Sequence, residues 1–236
     1  MIAIIGGSGL TRLPELHITH RQIVRTPYGL PSSPVITGKL GSHEIVFLAR
    51  HGLNHTLAPH EINYRANIWA LDSLGITGII SVSAVSTLNG LPVGALVLPD
   101  DLIDYTYGRN DTFFEGENCE VTHIDFFYPY DAELRQLLLN HAQERNILIH
   151  HQAVYGCIQG PRLPTRAEVQ RYKKDGVDIL GMTGMPEAAL ARELDLPYVH
   201  LCGVIGKAGC ENESPDFRNN QEHHAMQSIR QLLINM

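Results

Sequence analysis

The stretch that most constrains this chain runs from Gly181-Met182-Thr183-Gly184-Met185-Pro186-Glu187 through Ala191-Arg192 to Pro197-Tyr198. It reads as the end of a strand, a tight turn, a helix and the start of another strand. Val177 to Leu180 are apolar enough for a buried strand, and Pro186 suits the first helical position, where its missing N–H costs nothing. Gly181 and Gly184 permit unusual backbone angles in the turn. A strand, helix and strand joined this closely predict a layered α/β fold. The helix N-terminus is expected to face the loop, where free N–H groups and the helix dipole favour an anion and Thr183 adds a hydroxyl. An ordinary turn without a ligand is the competing account.

With 236 residues the chain buries roughly 70–75% of its unfolded surface, enough for one domain spanning 1–236 without staples. A net charge of −7 and the lack of a Lys/Arg cluster argue against a nucleic-acid partner. Cys119, Cys157, Cys202 and Cys210 form no C-x-x-C pair, which suggests neither a zinc ribbon nor a disulfide framework and fits a reducing compartment. Met1 to Ile5 has no basic flank and too few apolar residues for a signal peptide, and no run reaches the ~18 needed to span a bilayer. The expectation is a soluble, cytoplasmic protein with no membrane partner.

Ile2 to Ile5 predicts a buried strand entering the loop Gly6-Gly7-Ser8-Gly9. A dinucleotide fingerprint fails here, because Arg12 stands at the third glycine position and Pro14 follows where a helix should run. The loop still offers backbone N–H groups and the Ser8 hydroxyl to a phosphate. Residues 17 to 48 alternate β-branched and polar side chains between turn signals, predicting two or three antiparallel strands with Glu44 to Leu48 the most buried. That strand ends in Ala49-Arg50-His51-Gly52, placing a guanidinium and an imidazole where ligands of open α/β sheets bind. Arg50 offers forked donors to a phosphate or carboxylate. His51, His55 and His60 match no zinc spacing, so no metal is assigned.

Tyr64, Ile68, Leu71 and Leu74 predict an amphipathic helix that Gly75 ends. Strands follow at Gly78 to Val82, leading into Ser83-Ala84-Val85-Ser86, and at Ala95 to Leu98. Residues 108 to 130 are aromatic, polar and aperiodic, too long for a plain connector. They predict a ligand wall or a subunit contact, or else a crossover packed on its own aromatics. A helix is expected over 131–145, a strand over 153–158 and a capped helix from Thr165 to Lys174. Tyr198 to Val204 is the last expected strand, then a glycine-broken stretch to Asn220 and a helix from Gln221.

Taken together, Ile4-Ile5-Gly6-Gly7-Ser8-Gly9-Leu10, Leu48-Ala49-Arg50-His51-Gly52, Asn63-Tyr64-Arg65-Ala66-Asn67, Gly160-Pro161-Arg162 and the Gly181 to Glu187 stretch resemble the purine nucleoside phosphorylase superfamily. The resemblance is strongest to its methylthioadenosine and methylthioinosine phosphorylase branch. It implies an α/β fold with a central mixed β-sheet flanked by helices, and a homotrimer with active sites near subunit interfaces. It also implies phosphate-dependent cleavage of a purine N-glycosidic bond, with no cofactor and with inorganic phosphate as co-substrate. A held phosphate would stabilise the oxocarbenium-like sugar and capture its anomeric carbon. By resemblance, Ser8, Arg50, His51, Ser83, the Ala84 backbone and Thr183 bind phosphate, Met182 lies against the sugar, and His123 reaches a neighbour's 5′-substituent pocket.

The chain departs from the family at the base. Gly206 stands where the family carries an Asp or Asn that assists the purine N7, and Ala208 stands where adenine-preferring members carry a second acid. A 6-oxopurine therefore fits better than a 6-aminopurine, which favours methylthioinosine, cleaved to hypoxanthine and 5-methylthioribose 1-phosphate. Lys207 is the candidate substitute donor beside Gly206, with Asn212 folding back, or water in a mobile glycine-rich loop, as alternatives. Phosphorolysis of methylthioadenosine or of other 6-oxopurine nucleosides, a nucleosidase, and a weakly active or non-catalytic nucleoside-binding homologue remain as other readings.

Overall fold

In the computed structural model the described residues are 1–117, 119–209 and 215–234, with side chains of 215–219 left undescribed. Two ten-residue strands form the spine: β5, Gly78–Thr87, and β11, Tyr198–Lys207. They pair in parallel along their whole length, from Tyr198 against Ile79 to Lys207 against Thr87. Both are buried almost throughout, which is why β5 reads as a near-continuous apolar run rather than an alternation.

On one side of β5 lies β1, Ile2–Gly6, parallel to it, and beyond β1 lies β4, His43–Ala49, also parallel to β1. The antiparallel set expected over 17–48 is present: β2, His17–Gln22, pairs with β3, Val35–Leu40, which pairs with β4. β4 is the most buried of the three, and β2 is the exposed sheet edge. Further along β5, β10, Ile179–Gly181, joins antiparallel and continues to β9, Val154–Cys157, and β7, Asp101–Asp104. β6, Leu96–Val97, and β8, Ile149–His150, complete an 11-stranded mixed sheet among the described residues.

Helices α1, Tyr64–Asp72, and α4, Gly184–Glu193, cover one face, where Ile68, Leu71, Leu190 and Ala191 join Ile5, Leu48 and Ile79 in one core. Helices α2, Ala132–Glu144, and α5, Pro215–Leu233, cover the other with Leu134, Leu138, Met226 and Ile229. Helix α3, Arg166–Lys174, starts at the expected capping box: the Glu168 N–H donates to the Thr165 hydroxyl and the Thr165 N–H to the Glu168 carboxylate. The expected α/β architecture, a mixed sheet between helices, is the one observed.

Two boundaries and two short strands differ from expectation. β11 continues three residues past Val204, because a bulge at Ile205 lets Gly206 and Lys207 re-enter the ladder against Ser86 and Thr87. Gly206 is thus a buried strand residue and not the start of a mobile loop. α5 begins at Pro215, ahead of Gln221. β7 and β8 escaped the hydrophobic pattern because β7 is largely exposed and β8 has two residues.

Residues 108–130 form neither helix nor strand among those described. The first part is stapled down: Arg109 donates to the Gln159 and Met185 carbonyls, and Glu193 accepts from Thr112 Oγ1 and the Phe113 N–H at 2.6 and 2.7 Å. Phe113 also packs on Tyr28. The later part presents Val121, Phe127 and Tyr128 to solvent. Asn63-Tyr64-Arg65-Ala66-Asn67 serves this scaffold: Asn63 caps α1, Arg65 pairs with Glu115, and buried Asn67 accepts the Ser32 N–H.

Candidate active site

The sheet is interrupted where the site lies. β1 accompanies β5 as far as Ser81, β10 joins only at Ser86, and residues 82–85 have no strand against that edge. Into this gap come the loop after β1, the Arg50-His51 turn after β4 and Thr183 after β10. Backbone groups of alternate strand residues face the same edge. The Val82 carbonyl accepts Arg50 Nη1 in the gap at 3.0 Å, so Ala84, two residues on, turns its N–H the same way. Gly7 is required by close approach: a Cβ there would lie 2.7 Å from Arg50 Nη1 and 2.5 Å from the Val82 oxygen.

Arg50 is completely buried, and its fork faces Glu187, not the cavity. Nε donates to Oε2 at 2.7 Å and Nη2 to Oε1 at 2.9 Å, while Nη2 also reaches Ser81. Glu187 further accepts Ser81 and Tyr198 hydroxyls at 2.6 and 2.9 Å. Burial works against each charge. For Glu187, the Arg50 charge and the hydrogen bonds of Arg50 and Ser81 outweigh it and hold the carboxyl below its ordinary range. The Glu187 carboxylate likewise keeps the Arg50 guanidinium above its usual pKa despite burial. What Arg50 retains for a ligand is Nη1, whose second contact is Ser83 Oγ at a long 3.5 Å.

Ser83 lies 3.1 Å from Thr183 Oγ1 and 2.8 Å from His200 Nε2. Burial, then the charge of Arg50, lowers the pKa of His200 to about 3, so the ring is neutral. Burial and Arg50 likewise lower His51 to about 4. Its Nδ1 lies 2.8 Å from the Leu57 carbonyl, which can only accept, so the neutral ring carries its proton there and leaves Nε2 as an acceptor.

The expectation for the α4 N-terminus is corrected. The N–H groups of Thr183 and Gly184 donate to the Tyr155 hydroxyl, and that of Met185 to Cys157 Sγ. The anion favoured by the first turn is Glu187 of the helix itself. Gly181 and Gly184 have no positive φ either. They are glycines because Tyr155 lies against them, 2.3 Å and 2.7 Å from where a Cβ would stand. Pro186 does open the regular helix, after non-helical Met185.

Ser8, Arg50, His51, Ser83, Ala84 and Thr183 line one cavity of about 170 Å³, together with Met182 and Gly206. All six residues expected around an anion are therefore brought together. Met182, Ser86, Leu163 and Gly181 are shared with an adjoining cavity of about 290 Å³, whose far wall holds Ile158, Arg166, Lys207, Ala208 and Gly209. The pair makes one cleft: a hydroxyl-rich end lined mainly by buried side chains, the closed end, and an end lined in good part by exposed ones, the open end. His123 is exposed and lines neither cavity, and Asn212 lies outside the described residues. A larger groove of about 750 Å³ beneath Leu13, Ile18 and Ile23 is mainly aliphatic and gathers no comparable polar set. Among the described residues no group of three or more His, Cys, Asp or Glu is placed to hold a metal, and no helix is long and apolar enough to cross a membrane.

Sequence reasoning missed Glu187, Ser81, Tyr198 and His200. A signal existed for His200, a polar residue interrupting an apolar strand, and for Glu187, an acid directly after Pro186 in a buried turn. Chemically, the closed end presents hydroxyls, one strand N–H and a guanidinium edge, which is what a tetrahedral oxyanion accepts from.

Comparison with known proteins agrees with this geometry. A relative from Pseudomonas syringae pv. tomato, named a probable S-methyl-5′-thioinosine phosphorylase, is 50% identical over 207 residues, 87% of this chain and 84% of the relative. The 6-oxopurine nucleoside phosphorylase of Pyrococcus furiosus is 43% identical over 213 residues, 88% of this chain and 79% of its own. Among solved structures, methylthioadenosine phosphorylase from Schistosoma mansoni in complex with adenine superposes with a TM-score of 0.93 at 32% identity, covering 99% of this chain and 89% of that one. The model of the phosphorylase superfamily matches residues 1–235, and the chain belongs to that superfamily.

Proposed function

We propose that the protein cleaves the N-glycosidic bond of a purine nucleoside by phosphorolysis, with S-methyl-5′-thioinosine as substrate and hypoxanthine and 5-methylthioribose 1-phosphate as products. Inorganic phosphate binds at the closed end as a reactant, and no cofactor takes part. The Ser8, Ser83 and Thr183 hydroxyls, the Ala84 N–H and Arg50 Nη1 donate to it, and His51 Nε2 accepts a hydrogen bond from the P–OH group of the monohydrogen dianion, which keeps its proton. As the bond from anomeric carbon to N9 breaks, its electron pair leaves with the base and the phosphate oxygen bonds to the carbon. Met182, shared by both cavities, lies beside the sugar.

The observation that carries the choice of base is the lining of the open end. It holds Arg166, Lys207 and Ser86 among apolar residues and Gly206 to Gly209, with no carboxylate among the described residues. O6 of hypoxanthine accepts hydrogen bonds that Lys207 and Arg166 can give. A 6-amino group would find no side-chain carboxylate among the described residues to accept from it. Lys207 donates to the departing purine, the part that Gly206 cannot play. The names of the relatives from P. syringae and P. furiosus support a 6-oxopurine.

The test supplies S-methyl-5′-thioinosine, methylthioadenosine and inosine in turn, with and without phosphate, and identifies the base released. The expected result is phosphate-dependent release of hypoxanthine, with methylthioinosine favoured over methylthioadenosine by at least about tenfold in kcat/KM. Equal efficiency on methylthioadenosine overturns the choice of base, and release without phosphate overturns phosphorolysis. The working form is a homotrimer in which the exposed surface of Val121, Phe127 and Tyr128 meets a neighbour and His123 completes its 5′-pocket. An active monomer in light scattering overturns that part. Free Cys119, Cys157 and Cys202 support a reducing, cytoplasmic setting.

A further inference from the structure

Ser83 is the hub of the closed end, within reach of Arg50 Nη1, Thr183 Oγ1 and His200 Nε2. His200 is fully buried, with its ring against Tyr155 at 4.7 Å between centroids and against the backbone of Gly184. Its other nitrogen, Nδ1, is buried and has no hydrogen-bond partner among the described residues.

A neutral imidazole carries one proton, and its position decides which way the hydroxyls point. With the proton on Nδ1, a buried N–H is orphaned, and Nε2 must accept the Ser83 hydrogen, turning it away from the cleft. With the proton on Nε2, only a lone pair is left unmatched, the milder of the two defects. Ser83 Oγ then accepts from His200, while its contact with Arg50 Nη1 stays at a long 3.5 Å. Its own hydrogen is left for Thr183 or for a ligand in the cleft.

We propose that His200 is a positioning residue, which donates Nε2–H to Ser83 and so commits the Ser83 hydroxyl to donating to the bound oxyanion. The inference rests on the reading of the closed end as the phosphate site. A single buried ring thereby fixes the donor sense of a hydroxyl that carries no charge.

The test compares His200→Leu with His200→Gln, whose amide can place an N–H near the position of Nε2. His200→Leu should raise the phosphate KM about tenfold, the scale of one lost hydrogen bond, with the nucleoside KM unchanged. His200→Gln should recover most of that, and His200→Leu should add little in a Ser83→Ala background. An unchanged phosphate KM in His200→Leu, or the same rise with or without Ser83, overturns the proposal. Should the variants not fold, long-range proton–nitrogen correlation spectra of the wild-type histidines decide directly. A protonated Nε2 on His200 is expected, and a protonated Nδ1 overturns the assignment. That spectrum is independent of turnover, so wild-type base release without phosphate would defeat the phosphate reading while leaving the tautomer measurable.

Discussion

At the closed end of the cleft the buried charged and polar groups hold one another: Arg50 is held by Glu187, Glu187 by Ser81 and Tyr198, Ser83 by His200 and Thr183. At the open end Leu163 is 57% exposed, Lys207 and Gly209 face solvent, and a strand bulge at Ile205 sets the backbone. In the proposed reaction the closed end takes phosphate, which never varies between substrates, and its side chains double as core. In the same proposal the open end meets the part of the substrate that distinguishes one nucleoside from another, and little of the fold depends on it. Changes at the first should therefore register in stability or in phosphate binding, and changes at the second as turnover and base specificity.

Arg50→Ala is the strongest way to break this contrast. It strands the Glu187 carboxylate in the core and should cost about 3–5 kcal/mol in urea denaturation. Adding Glu187→Leu should recover a large part of that loss. If Arg50→Ala is as stable as wild type and only weakens phosphate binding, the closed end is not structural.

Lys207→Ala should show the opposite signature. Turnover on methylthioinosine should fall about 10²-fold, while stability stays within about 0.5 kcal/mol of wild type. Gly206→Asn should then add little. A rise in turnover with Gly206→Asn and no loss with Lys207→Ala would show that the leaving-group donor is missing from the site.

The buried histidines sharpen the comparison through pH. His51 and His200 have folded-state pKa values lowered from 6.5 to about 4 and about 3, chiefly by burial and then by Arg50. The unfolded chain takes up protons near pH 6.5 that the folded rings refuse. Their contribution is complete above that value and is lost as pH falls toward the lowered values. Between about pH 6.5 and 5.5 each ring should cost about 1 kcal/mol of unfolding free energy. Urea midpoints across this range should fall in wild type and fall less steeply in His200→Gln.

The smallest expected effect is that of Thr183→Val, which keeps the shape and removes one hydroxyl. The phosphate KM should rise about tenfold, with the nucleoside KM unchanged. An unchanged phosphate KM would remove Thr183 from the set of donors.

Much of this was legible in the sequence where the cause is local. The alternation over 17–48, the Thr165 box and the apolar run into Ser83 depend on neighbours a few positions away, and each element formed where expected. The six residues expected around an anion line one cavity because strand ends and tight turns were recognisable one at a time. The pairing of Arg50 with Glu187 was not legible, since 137 positions separate them and no periodicity links a strand end to a helix first turn. Gly181 and Gly184 illustrate the same limit. The turn was placed correctly, but the need for glycine comes from the Tyr155 ring of another strand and not from a backbone angle. At Gly206 a local reading of glycine as loop failed, because the long parallel partner β5 carries the strand through.

The interruption beside β5 has a consequence for how the fold and its ligand depend on each other. A strand that exchanges a parallel neighbour for an antiparallel one leaves a window in which its edge is bare. Loop and side-chain donors fill that window only partly. An oxyanion seated there takes the place of the missing strand segment, with its oxygens standing in for carbonyls. Occupancy is then a form of sheet completion, and amide exchange at Ala84 would report it directly from the spine of the molecule.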